Sequence, residues 1–406
     1  MSDETTTLSA ATASPSGADR AQQPLVERMR SFGTTIFTRM SALANQTGAI
    51  NLGQGFPDED GPQEVLDAAV AAIRAGDNQY PPLPGVVDLR HAIVRHQERR
   101  YGLSLNADTD VLVTMGATEA IAASVLALCE PGDEVVTFEP YYDSYAAVIA
   151  LAGATRRTSV LRFSDFALDE ESLRAAFSER TRLVLLNTPH NPTGKVFTAD
   201  ELEVIARLAV EYDAIVVADE VYEHLVFAPA RHIPMATLPG MAQRTLTIGS
   251  AGKTFATTGW KIGWITGPAE LVAAARTVKQ FLTFAGGAPF QPAVAAGLAL
   301  PDTVFDDYAA GLAQARDALL AGLAQAGIPA TNPDGTYFVI ADVRSVGGED
   351  AMQFCLDLPA RVGVVGVPVS VFCDDKESAA GLVRFAFCKR LPVVQEGARR
   401  LSQLTG

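Results

Sequence analysis

Residues 244–264 read RTLTIGSAGKTFATTGWKIGW, and the two halves of that stretch pose the fold and the chemistry together. RTLTIGS (244–250) is a short β-branched run closed by glycine and serine, the pattern of a strand. The remainder sets Lys253 and then Lys261 in a glycine-punctuated turn. GSAGKT ends as a nucleotide-binding phosphate loop ends, but that loop needs a glycine at position 247, where this chain has Thr247. The two lysines serve some other chemistry.

Four more runs of the same kind lie upstream: DVLVT (110–114), DEVVTF (133–138), RLVLLN (182–187) and AIVVAD (214–219). Several are apolar on both faces, which marks strands covered by helices on either side and hence a mainly parallel sheet. Helical patterns alternate with such runs along the chain, and two that end near glycine, PQEVLDAAVAAIRAG and VVDLRHAIVRHQERRYG, lie ahead of the first of them. The expected fold class is therefore α/β, a large domain at 61–299 with helices on both faces of a mainly parallel sheet. From residue 300 a long amphipathic helix, the strand-like GTYFVIADV, the helical DAMQFCLDLPARVG and GLVRFAFC predict a smaller α+β domain, which residues 25–60 join. Residues 1–24 read as a polar, disordered leader.

The chain has 406 residues, 48% of them hydrophobic and 19% charged, with a formal net charge of -15. That is enough apolar material for a large core. The acidic balance and the lack of a basic run argue against a nucleic-acid partner. No stretch approaches the ~20 apolar residues of a membrane span, and the N-terminus has neither signal-peptide nor transit-peptide character. A cytoplasmic protein acting on small molecules is expected. Cys129, Cys355, Cys373 and Cys388 lack C-x-x-C spacing, so neither a metal site nor a disulfide framework is predicted.

In open parallel sheets, ligands gather beyond the carboxyl ends of the strands. DVLVT is followed by Gly116-Ala117-Thr118, a turn that opens a helix. RLVLLN delivers Asn187 and Asn191 on a proline-rich loop, AIVVAD ends in Asp219 with Tyr222 just beyond, and RTLTIGS leads to Ser250 and Lys253. Taken alone, each admits a plain structural explanation as a turn, a cap or a solvated charge. Taken together they supply an amine, a buried carboxylate, polar donors and an anion-binding helix start, which is the set that pyridoxal phosphate requires. A lysine that bonds to an aldehyde must spend time neutral, and Lys261 is the neighbouring cation expected to disfavour the charge on Lys253.

The runs NLGQGFPD, NQYPPLPGVVDLR, NTPHNPTGKVF, VADEVYEHL, SAGKTFATTGWKIGW and VRFAFCK resemble those of the class I/II aminotransferases, pyridoxal phosphate enzymes of fold type I. The resemblance runs from about residue 30 to the C-terminus. It points to the branch holding kynurenine–glutamine, methionine and N-succinyldiaminopimelate aminotransferases, and within it QYPPLPG and FAGGAPFQPAV look most like the last group.

The resemblance implies that Lys253 bonds to the cofactor aldehyde and later shuttles the proton, while Asp219 keeps the ring nitrogen protonated. It implies that Asn191 and Tyr222 hydrogen-bond the phenolic oxygen, with Asn187 beside them. Gly116, Ala117, Thr118, Ser250 and Lys261 would hold the phosphate. Tyr142 would stack on the ring, although Tyr141 and Tyr145 are equally aromatic neighbours. Tyr80 would reach the phosphate of a partner subunit, which implies a homodimer with shared sites. Arg384 would take the substrate α-carboxylate through its guanidinium fork, with Asn191, Gly55 and Phe37 beside it and Phe284 entering from the other subunit. The threonine of the Gly-Ala-Thr turn and the Ala-Gly-Gly-Ala loop at 285–288 suggest a roomy pocket, suited to N-succinyl-L,L-diaminopimelate with 2-oxoglutarate as acceptor, a lysine-biosynthesis reaction. Arg39 is the candidate for the distal carboxylate. The alternatives are a kynurenine, glutamine or methionine aminotransferase, a carbon–sulfur lyase on the same fold, or a ligand-sensing regulator, for which the leader is too short to hold a DNA-binding domain.

Overall fold

The computed structural model describes residues 24–33 and 35–404. The leader expected at 1–24 lies, apart from Pro24, outside the described residues. Twelve strands are present among them: β1 (Ile50–Asn51), β2 (Val111–Thr114), β3 (Glu134–Glu139), β4 (Thr155–Val160), β5 (Thr181–Asn187), β6 (Ile215–Asp219), β7 (Thr245–Ser250), β8 (Gly263–Thr266), β9 (Phe338–Asp342), β10 (Val364–Val365), β11 (Val367–Pro368) and β12 (Leu382–Ala386). The main sheet has seven strands in the order β2-β8-β7-β6-β5-β3-β4. β3 to β7 run parallel to their neighbours of that group, and β8 is antiparallel to both β2 and β7.

The five runs read from the sequence are all strands of this sheet, within a residue or two. β4 and β8 were not read. TRRTSV, the edge strand β4, exposes the side chains that alternate along it, so it carries no apolar run. β8 is only four residues, GWIT, placed directly after the turn at Lys261. Every residue of β3, β6 and β7 is buried, because helices cover both faces of the sheet.

The remaining strands form a three-stranded antiparallel sheet, β11-β12-β9, and a parallel pair, β1-β10. The long helix Asp302–Gln325 packs against Leu391–Leu401. Gly322 permits that crossing, since a Cβ there would lie 2.4 Å from the carbonyl oxygen of Ala398.

Parallel register fixes the functional edge. Asn187 pairs with Asp219 across β5 and β6, and Asp219 with Ile248 across β6 and β7. The loops leaving all three strands therefore start side by side, as the strand-end rule requires. None of the helices is long and apolar enough to cross a membrane among the described residues.

Candidate active site

A cavity of about 310 Å³ opens at that edge, lined by residues from the main sheet and from β9, β12 and the loop after β1. Of the residues singled out in the sequence, it brings together Phe37, Gly55, Gly116, Ala117, Thr118, Tyr142, Asn187, Asn191, Asp219, Tyr222, Ser250, Lys253, Lys261 and Arg384. Tyr80 and Phe284 are not on it. Tyr80 lines a separate open groove, and the two side chains, 82% and 45% exposed, are in edge contact with ring centroids 5.8 Å apart. Arg39, the candidate for a distal carboxylate, is an exposed residue of the helix Ile36–Thr47 and does not line the cavity. That expectation is corrected: Phe37 turns inward from this helix, and Arg39, two positions on, is turned to the outside.

Lys253 sits in the one-turn helix Ala251–Thr254 after β7. Its Nζ donates to the hydroxyl of Tyr337 (3.0 Å), and the Tyr337 hydroxyl donates to the carbonyl of Gly55 (2.7 Å). Desolvation brings the pKa of Lys253 down to about 8, opposed by Cys388 and Asp219 and assisted by Arg384 and Lys261. The sequence reading gave that role to Lys261. Burial comes first, and Lys261 itself is exposed.

Asp219 ends β6 fully enclosed. Tyr145 donates its phenolic proton to Asp219 Oδ2, the amide of Val221 points at Oδ1, and Asn187 Nδ2 donates to the Asp219 carbonyl (2.8 Å). Burial raises its pKa to about 6 against the Tyr145 and Val221 hydrogen bonds and against Lys253. Asn187 Oδ1 also accepts from the amide of Asn191 (2.7 Å), so Asn187 braces the loop as well as lining the cavity. Of the three tyrosines in EPYYDSY, Tyr142 faces the cavity, Tyr145 supports Asp219 from behind, and Tyr141 turns away to donate to Asp374 (2.7 Å).

Arg384, in β12, is 1% exposed. Nη1 donates to Asn191 Oδ1 (2.9 Å) and Nη2 to the carbonyl of Gly53 (3.0 Å). Its carbon Cζ lies over the rings of Phe338 (4.1 Å), Phe372 (5.0 Å) and Phe37 (5.2 Å). Among the described residues no carboxylate forms an ion pair with it and Nε has no hydrogen-bond partner; burial lowers its pKa to about 10 against the tyrosines Tyr222 and Tyr337 and the charge of Asp143. A buried guanidinium with an unmet donor is a binding site for an anion. Gly55 is needed here for packing, since a Cβ would meet the Phe338 ring at 2.5 Å.

Gly116 opens the helix Gly116–Leu128 at φ 72°, a left-handed conformation that favours glycine. The Lys261 ammonium lies 3.3 Å from where a Cβ of Gly116 would stand. Helix-start amides, the Thr118 and Ser250 hydroxyls and a lysine thus converge on one end of the cavity, the arrangement that binds a phosphate group.

Sequence reasoning missed Tyr145, Tyr337, Phe338 and Phe372. GTYFVIADV was read only as a strand, and nothing within it announces that its tyrosine reaches Lys253. It also missed a buried group behind the Tyr222 turn. His96, Glu223 and His224 place one ligand-type atom each within 4.8 Å of one another. Arg99 Nη2 lies 3.3 Å from His96 Nδ1. His96 Nε2 lies 3.0 Å from His224 Nε2, so one ring donates to the other, and burial lowers the pKa of His96 to about 4. The group is a buried, hydrogen-bonded support beside residues 219–225. The four cysteines are buried and unpaired.

The comparisons with known proteins bear on the same residues. The model of the aminotransferase class I and II family matches residues 47–399. A probable N-succinyldiaminopimelate aminotransferase of Mycobacterium tuberculosis is 52% identical over 389 residues, covering 93% of this chain and 98% of the relative. The methionine aminotransferase of Escherichia coli is 40% identical over 391 residues, covering 94% and 99%. The solved N-succinyldiaminopimelate aminotransferase of Mycobacterium tuberculosis superimposes with a TM-score of 0.92 at 53% identity, over 94% of this chain and all of that one. With a match of that span on a fold that gathers an amine, a carboxylate and a guanidinium into one cavity, this chain belongs to the class I and II aminotransferases.

Proposed function

We propose that the cavity holds pyridoxal 5'-phosphate and that the enzyme moves an amino group from N-succinyl-L,L-diaminopimelate to 2-oxoglutarate. The observation that carries this reading is the meeting of Lys253, Asp219 and Arg384 on one cavity, each shifted by burial in the direction that a bound partner would relieve. A protonated pyridine nitrogen beside Asp219 would restore its ordinary ionisation, and a phosphate would meet the Gly116–Thr118 amides with Ser250 and Lys261. Asn191 and Tyr222, which line the same cavity, would hydrogen-bond the phenolic oxygen.

When bound, the cofactor supplies an aldehyde for the amino group and a ring that takes up the electron pair left on Cα. Arg384 binds the substrate α-carboxylate, with Asn191 fixing its plane. Tyr142 and Val221, which line the cavity, would flank the ring, and the apolar lining of Phe37, Phe338 and Ile121 would limit the entry of water. Lys253, freed from the aldehyde carbon by the incoming amino group and with a pKa of about 8, would take the proton from Cα and deliver it to that aldehyde carbon. Asp219 would keep the ring nitrogen protonated throughout.

Two copies of the chain are proposed to share their sites. Tyr80, Phe281, Leu282 and Phe284 form an exposed apolar group that a second subunit would cover, and Tyr80 and Phe284 would complete the partner's cavity. The large unit at 61–299 would carry the cofactor, and the smaller unit, 25–60 with 300–406, would supply Arg384.

A second reading, an amino acid with an uncharged side chain such as methionine, is favoured by one feature. The cations lining the cavity, among the described residues, are Lys253, Lys261 and Arg384, and the wall around Phe37, Phe56 and Ile121 has none for a distal carboxylate. Assay of the cofactor-loaded enzyme with 2-oxoglutarate and a donor panel decides between them. N-succinyl-diaminopimelate should give the highest kcat/KM. Preference for methionine or kynurenine selects the second reading, and release of pyruvate and ammonia from cystathionine without an oxo acid indicates a lyase.

A further inference from the structure

Lys279, on the helix Ala269–Leu282, is a lysine with 2% exposure. Its Nζ donates to the carbonyl of Leu83 (3.3 Å) and to that of Phe284. These carbonyls belong to two loops far apart in sequence, 78–86, which carries Tyr80, and 283–291, which carries Phe284 in a left-handed conformation (φ 60°) and runs into the first turn of the helix Phe290–Leu298. Gln291, also 2% exposed, spans the same gap. Its Oε1 accepts from the amide of Val86 (2.8 Å) and its Nε2 donates to the carbonyl of Gly286 (2.8 Å). Glu119 completes the unit, accepting from the Thr283 hydroxyl and from the amide of Met115 (2.6 Å) while its charge faces Lys279.

Buried carbonyls without a strand partner need donors, and an ammonium provides three with the extra strength of a charge-assisted bond. Lys279 and Gln291 therefore fix two loops to each other from inside, while their aromatic tips, Tyr80 and Phe284, remain outside the chain's own cavity. A pair of rings held in edge contact and left exposed is organised for something beyond this chain.

We propose that Lys279 is a positioning residue for the other subunit's active site: it locks the 78–86 and 283–291 loops into one arm that presents Tyr80 and Phe284 across the dimer. The inference rests on the shared-site reading given above.

The test uses hybrid dimers of differently tagged subunits, one carrying Lys253→Ala and hence one working site per dimer. The arm serving the working site comes from the Lys253→Ala subunit. Lys279→Met on that subunit should lower kcat/KM at least about tenfold, and the same change on the subunit that keeps Lys253 should alter it less than about twofold. Loss only in the second arrangement, equal loss in both, or loss in neither overturns the proposal.

Tyr80→Ala in the same two arrangements serves as the control. If it shows the asymmetry and Lys279→Met does not, the role of Lys279 falls alone. If Tyr80→Ala shows none, the shared-site reading fails and this proposal with it. Should Lys279→Met not assemble, Gln291→Leu replaces it, and the same asymmetry is required. Hydrogen exchange in the Lys279→Met homodimer gives a readout independent of turnover. Amides of 78–86 and 283–291 should exchange faster together while those of 120–128 hold, and unchanged exchange in both loops contradicts the proposal.

Discussion

The hydroxyl of Tyr337 accepts a 3.0 Å hydrogen bond from Lys253 Nζ and gives its own proton to the Gly55 carbonyl at 2.7 Å. Because that proton is committed, Tyr337 can only accept from the lysine, and it stabilises the ammonium form against the burial that disfavours it. Tyr337→Phe should therefore lower the pKa of Lys253 below its value of about 8. The pH dependence of amine-reactive labelling at Lys253 in cofactor-free protein reads this. An unchanged or raised pKa contradicts it.

The same burial costs the cofactor-free protein stability. Between a folded pKa of about 8 and the ordinary 10.5, the unfolded chain binds the Lys253 proton and the folded chain does not. Stability therefore rises with pH across that window, and the full penalty applies below it. Cofactor-free Lys253→Met should be more stable than cofactor-free wild type at pH 7 by about 1–2 kcal/mol, with the gap closing toward pH 10.5. Urea unfolding at several pH values measures it. A less stable variant at pH 7, or a gap that ignores pH, would sink the argument.

Arg384→Lys keeps a cation but loses the planar fork and its bond geometry to Asn191 and Gly53. It should reduce kcat/KM for the amino donor by about 10²–10³-fold, as expected when a bidentate carboxylate contact is lost. The cofactor spectrum should be unaltered. Loss of the cofactor with the arginine would assign Arg384 to cofactor binding instead.

Asp219→Asn preserves shape and removes the charge proposed to hold a proton on the ring nitrogen. Turnover should fall by at least about 10³-fold, as when a preorganised electrostatic partner is removed. Activity within about tenfold of wild type would mean that some other group stabilises the charge that develops on the ring.

How far the sequence announced this site depends on where each residue stands in its element. Asn187, Asp219 and Ser250 follow directly on apolar strand runs, so a strand pattern and the parallel-sheet rule were enough to bring them together. Arg384 lies within β12 and carries no such positional signal. The VRFAFCK resemblance named it, and the structure supplies the reason for its reactivity in its burial under Phe338 and Phe372. Tyr337 and Tyr145 act through contacts made by packing, between segments 84 and 74 residues apart from Lys253 and Asp219, and periodicity within one segment cannot register them. The edge strand β4 escaped for a related reason, since a half-solvated strand lacks the apolar run that revealed its neighbours. Arg39 was chosen for its charge alone, and the helix turned it outward.

The central claim is that Lys253 is the amine that bonds to the cofactor aldehyde. The most direct measurement is borohydride reduction of the pyridoxal phosphate-loaded protein, followed by digestion and mass spectrometry. A single pyridoxyl label on the peptide containing Lys253 is the expected result. A label on Lys261 or Lys279, or a fully active protein that takes up no label, contradicts the account.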